Sequence, residues 1–78
     1  MPTLLRIGPY RFFFYSREPD EPAHVHVRRD QMECKIWLET VAVADAGRFS
    51  AHELGVISRH VREHRAKLLN DWHVHFPR

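Results

Sequence analysis

Two runs of strict alternation, separated by only three residues, constrain this chain more than anything else in it. The first is His24-Val25-His26-Val27-Arg28, and the second is Met32-Glu33-Cys34-Lys35-Ile36-Trp37-Leu38. Alternation with period two marks a half-buried strand, because successive side chains point to opposite faces of a sheet. Arg29-Asp30-Gln31 supplies the turn between them, so the pair reads as an antiparallel hairpin. One face then carries Val25 and Val27 with Met32, Cys34, Ile36 and Leu38. The other carries His24, His26 and Arg28 with Glu33, Lys35 and Trp37.

The remaining chain extends this pattern on both sides. Residues 3–7 read as a first short strand, and Gly8-Pro9 as a turn. Residues 10–15, Tyr-Arg-Phe-Phe-Phe-Tyr, form a β-favouring strand that is apolar on both faces and therefore covered on both. Residues 16–22 contain two prolines and no apolar side chain, which predicts an exposed loop. Residues 41–44 allow a last short strand, and residues 45–48 a turn. Ser50-Ala51-His52-Glu53 is a capping box, with Phe49 and Leu54 placed as a hydrophobic staple. It predicts one long helix over about 51–72. Its apolar stripe is Leu54, Ile57, Val61, Leu68 and Trp72, with His64 in the same arc. Glu63 and Lys67 are spaced as an i,i+4 pair, and residues 73–78 form a tail. The expected architecture is one α+β domain over 1–78. A small antiparallel sheet of four or five strands, within 3–44, buries one face under the C-terminal helix. Its other face is expected to stay open, aromatic and cationic.

That open face holds the candidate site. Residues two apart on a strand lie roughly 7 Å apart, so His24 and His26 can act together. Three chemistries fit. With an unperturbed pKa of about 6.5, the imidazoles can serve as general acid and base, and with Arg28 on a phosphate they suit metal-free RNA cleavage. Neutral His24 and His26 can instead ligate zinc, but a third ligand must then come from Glu21 or the His73-x-His75 pair. The row can also bind the acidic surface of a partner. Trp37, Lys35 and Arg11 are candidates for contact with a partner protein or RNA, Trp37 by stacking on a base. His60-Val61-Arg62-Glu63-His64 has the spacing of an inverted zinc-protease motif. Core packing of His64 and solvation of Glu63 explain it better in so short a chain. Cys34 lies on the apolar side and reads as an inert buried thiol.

Composition narrows the function classes. A domain of 78 residues buries only about 60% of its unfolded surface, so a partner or self-association would support it. A hydrophobic share of 44% with 28% charged residues reads as globular. No run approaches the ~18 apolar residues of a membrane span, and residues 1–6 lack the pattern of a secretory signal. A single cysteine fits a reducing cytoplasm. The net charge of +2 is too small to argue for nucleic acid. Ten of the twelve basic residues are arginine, the better residue for bidentate phosphate contacts, although codon bias in a GC-rich genome accounts for such a count without any mechanism.

Several stretches together carry a resemblance. They are Met1-Pro2-Thr3, residues 10–16 (Tyr-Arg-Phe-Phe-Phe-Tyr-Ser), Glu21-Pro22-Ala23-His24-Val25-His26-Val27, Gly47-Arg48-Phe49-Ser50, Glu53-Leu54 and the closing Trp72. In this order they resemble a bacterial family of short proteins catalogued as a domain of unknown function, over essentially the whole chain. Ala23 stands where a second proline is common, and Arg48 is inserted in the usual Gly-Phe-Ser. The resemblance implies no established activity. Genes of this family often sit beside a gene for another small protein, an arrangement like a toxin–antitoxin pair. The expected function is therefore a component of a toxin–antitoxin-like module, acting with a small partner protein, and as a candidate RNA-cleaving toxin through His24, His26 and Arg28. The alternative is a non-catalytic metal- or ligand-binding or protein-interaction module.

Overall fold

In the computed structural model, which describes residues 3–16 and 20–77, five strands are followed by two helices. The strands are β1 (Thr3–Ile7), β2 (Tyr10–Phe13), β3 (His24–Arg29), β4 (Met32–Trp37) and β5 (Val43–Asp45). They form one antiparallel meander in the order β1-β2-β3-β4-β5. The alternating runs pair as the hairpin their pattern predicts, with Val25 opposite Ile36, His26 opposite Lys35 and Val27 opposite Cys34. Asp30 adopts the left-handed region at φ 56° to close it. Short aspartate tolerates that region better than most residues.

The helices are α1 (Ala51–Glu63) and α2 (Arg65–His75). Ser50 caps α1: its Oγ accepts the Glu53 N–H at 3.1 Å. Phe12, Phe14, Val25, Val27, Cys34, Ile36 and Leu38 meet Phe49, Ile57, Val61, Leu68 and Trp72 in a single buried cluster. The α+β class and the apolar stripe thus hold, with Leu54 only partly buried at its start.

The single long helix does not hold. The helix breaks at His64, although no proline or glycine stands there. Two contacts meet at the break. The His64 Nδ1 lies 2.9 Å from the His60 carbonyl, adding a side-chain partner to a group of the helical ladder. Arg65, the next residue, donates to the carbonyls of Leu38 and Glu39 at 2.7 and 3.1 Å, tying the chain to the end of β4. The break also replaces the expected Glu63–Lys67 pair. Glu63 faces His60 at 3.8 Å, and Lys67 pairs with Asp71 at 2.6 Å. The helical segment continues to His75, past the expected end at 72.

The loop 38–42 carries a strained residue. Val41, although β-branched, sits at φ 60°. Its N–H donates to the Trp37 carbonyl at 2.9 Å, and the Trp37 N–H donates to the Ala42 carbonyl at 2.9 Å. These bonds and packing against the core hold it there. No helix of the described residues is long and apolar enough to cross a membrane.

Candidate functional site

The histidine face is not an open face at its centre. His24 has no exposed surface and His26 is 9% exposed. The expectation of a bare row of imidazoles fails because alternation assigns a side of the sheet but not what covers it. Phe13, opposite His26 across β2 and β3, is fully buried and stacks on the His26 ring with centroids 5.6 Å apart. Tyr15 meets the same ring edge-on at 4.5 Å. His24 meets His26 edge-on at 5.1 Å. On its other sides His24 touches Trp37 at 5.7 Å and Trp72 of α2 at 5.0 Å. Trp72 also packs on Phe14, so the last turns of α2 close over the His24 end of the sheet.

A hydrogen bond fixes the His24 ring. The His24 Nδ1 lies 2.8 Å from the Pro22 carbonyl. A carbonyl oxygen only accepts, so this nitrogen carries the proton. The Tyr15 hydroxyl donates to Glu33 Oε2 at 2.6 Å, and the same oxygen lies 3.6 Å from His26 Nδ1. His26, Glu33 and Tyr15 therefore form a cluster with a carboxylate within ion-pair reach of the imidazole.

The other sequence candidates are distributed around this cluster. Lys35 pairs with Glu21, and its ammonium sits 4.9 Å from the centre of the Trp37 ring. That pairing holds the Glu21 carboxyl below the usual carboxylate range. Lys35 and Trp37 thus contact each other, and both are half-buried. Arg28 is exposed, and its Nε donates to the Asp30 carbonyl at 3.2 Å. Arg11 stands opposite Arg28 across the strands. Its Nε donates to Thr3 Oγ1 at 2.6 Å, and its guanidinium lies over the Phe13 ring. The face is electrostatically divided. Arg11 and Arg28 lie at one end; at the other, an open groove of about 690 Å³ is rimmed by Asp20, Glu21 and Glu39.

For a metal, His24 and His26 need a third ligand. Among the described residues no group of three His, Cys, Asp or Glu side chains is placed to hold an ion. His73 and His75 are exposed on α2, where His75 packs on Phe14 and Phe76. Cys34 is 1% exposed, and burial pushes its thiol up to about 12.

A second charged network ties the helix to the sheet and was missed in the sequence. Glu53 should reach back to its own cap. Instead it accepts from Arg29 Nη2 at 2.9 Å and from the Tyr10 hydroxyl at 2.8 Å. Arg29 foremost, then Tyr10, hold its carboxyl below the usual range.

A family model described as Domain of unknown function (DUF4160) matches residues 10–73. The chain belongs to that family. The DUF4160 match spans β2 to the last turn of α2 and so includes Tyr15, His24, His26, Arg28 and Glu33. No curated protein and no solved structure matches the chain. Of this cluster, Tyr15 was not singled out in the sequence. The signal was there, since Phe13 and Tyr15 share one alternation phase, but it needs the pairing of β2 with β3 to point at His26.

Proposed function

We propose that this chain is one component of a toxin–antitoxin-like pair and acts on RNA, with His26 as the general base. The observation that carries the reading is the His26–Glu33–Tyr15 cluster on the histidine face of the sheet, next to two arginines. The resemblance to a family encoded beside a second small protein supports the pairing.

In this reading Arg28, two residues along β3 from His26, binds the phosphate. His26 takes the proton of the adjacent ribose 2′-hydroxyl. The 2′ oxygen bonds to phosphorus, the bond to the 5′ oxygen breaks, and water protonates the leaving oxygen. The products are a 2′,3′-cyclic phosphate and a 5′-hydroxyl, and His26 returns its proton to solvent. Glu33 orients the imidazole. His24 has no surface with which to meet a substrate. It acts as a positioning residue, holding the His26 ring from the side.

The test is induction of the protein alone in a bacterial host. Growth arrest with RNA fragments ending in cyclic phosphate is expected, and co-expression of the neighbouring gene should relieve the arrest. Arg28→Gln changes an exposed side chain and should abolish cleavage in a folded protein, as should any folded His26→Ala protein. Normal growth with intact RNA rules out the toxin. Failure to co-purify with the neighbour's product rules out the pair.

A further inference from the structure

We infer that Arg6, Arg11 and Arg28 form a rail for the sugar-phosphate backbone of single-stranded nucleic acid, leading to His26. The inference deepens the RNA reading above and rests on it. Its basis is register. Arg6 stands opposite Arg11 across β1 and β2, and Arg11 opposite Arg28 across β2 and β3. Residues directly opposite in antiparallel strands share a face. Strands lie about 4.8 Å apart, so the three side chains leave the sheet along one line about 10 Å long.

The register thus gathers three guanidinium groups into one row across three strands. The next residue in the row, Glu33 opposite Arg28, is the obvious counter-charge. Its Oε2 is instead given to the Tyr15 hydroxyl and faces His26. Asp30, at the nearby hairpin turn, pairs with Arg29. Among the described residues neither Arg6 nor Arg28 has a carboxylate within ion-pair distance. Arg6 and Arg28 are exposed, while Arg11 is fixed between them by Thr3 and Phe13. Guanidinium forks match phosphate oxygens in pairs, so an all-arginine row suits a polyphosphate strand. Direction follows from the divided face. The acidic groove beyond His24 repels phosphate, so the strand enters at the Arg6 end and meets His26 one alternation step from Arg28.

The experiment measures binding of a short fluorescent 2′-O-methyl oligouridylate over a salt series. This strand lacks the 2′-hydroxyl, so binding is read independently of cleavage. The logarithm of the affinity should fall with the logarithm of salt at a slope near −0.7 per phosphate contact, about −2 for three arginines. Arg6→Gln should reduce the slope by about 0.7 and weaken binding about fivefold at 0.1 M salt. Arg59→Gln removes an equal charge from an exposed position on α1 and should leave the slope unchanged. Equal effects of the two substitutions would overturn the rail, since net charge alone would then explain binding. Competition by polyglutamate as strong as by the oligonucleotide would also overturn it, reassigning the row to an acidic protein surface. Strong binding without any cleavage of natural RNA supports the rail while removing the catalytic role of His26. Toxicity without rail-dependent binding does the reverse.

Discussion

A β-carbon on Gly47 would lie 2.1 Å from the carbonyl oxygen of Glu33. Gly47 also sits at φ 61°, in the left-handed region, where its N–H donates to Asp45 Oδ1 at 2.8 Å. The absent side chain lets the turn after β5 seat on the backbone of β4 at the residue that partners Tyr15 and His26. Gly47→Ala should therefore cost about 2–4 kcal/mol, combining left-handed strain with overpacking against rigid backbone. Denaturant unfolding checks it, and a midpoint equal to that of the wild type would refute the close approach.

Leu68→Ala should cost about 2–5 kcal/mol. Leu68 is fully buried in α2 after the break at His64, and its loss leaves a cavity beneath the helix. For a domain this small that is a large part of the total stability. A melting curve that does not move would show that α2 does not pack as described.

Glu53 links α1 to β3 through Arg29 and to β2 through Tyr10. Its folded carboxyl is depressed below the usual value of about 4.3, so its stabilisation is fully present above that pH. It is lost as the pH falls through the lower, folded value. Wild-type melting temperature should thus drop steeply below about pH 4. Glu53→Gln should be less stable at pH 7 and lose less on acidification. Parallel pH profiles for the two proteins would exclude this linkage.

Cys34 should resist thiol reagents in the native state. It is 1% exposed with its thiol pushed up to about 12, so at pH 8 thiolate and access are both missing. Labelling should follow unfolding, becoming complete in denaturant. Rapid modification under native conditions would contradict the placement of β4.

Local chemistry determined much of this protein from sequence alone. Alternation fixed β3, β4 and the faces of Val25, Val27, Cys34 and Ile36, because a period of two leaves a side chain only two directions. Ser50 started the helix, because a capping hydroxyl answers a need within one turn. Questions of cover and pairing were decided by tertiary structure. Nothing near His24 in sequence announces that Trp72 closes over it. Helical periodicity ran unbroken through His64, since a period records which face is apolar and not where Arg65 finds the carbonyls of Leu38 and Glu39. Glu53 had a local partner available and took Arg29 and Tyr10, brought to it by the packing of α1 on the sheet. Arg6 and Arg11 flank one tight turn, but Arg28 lies seventeen residues beyond Arg11 in the chain. Strand register placed them in one row, and register is a property of the assembled sheet.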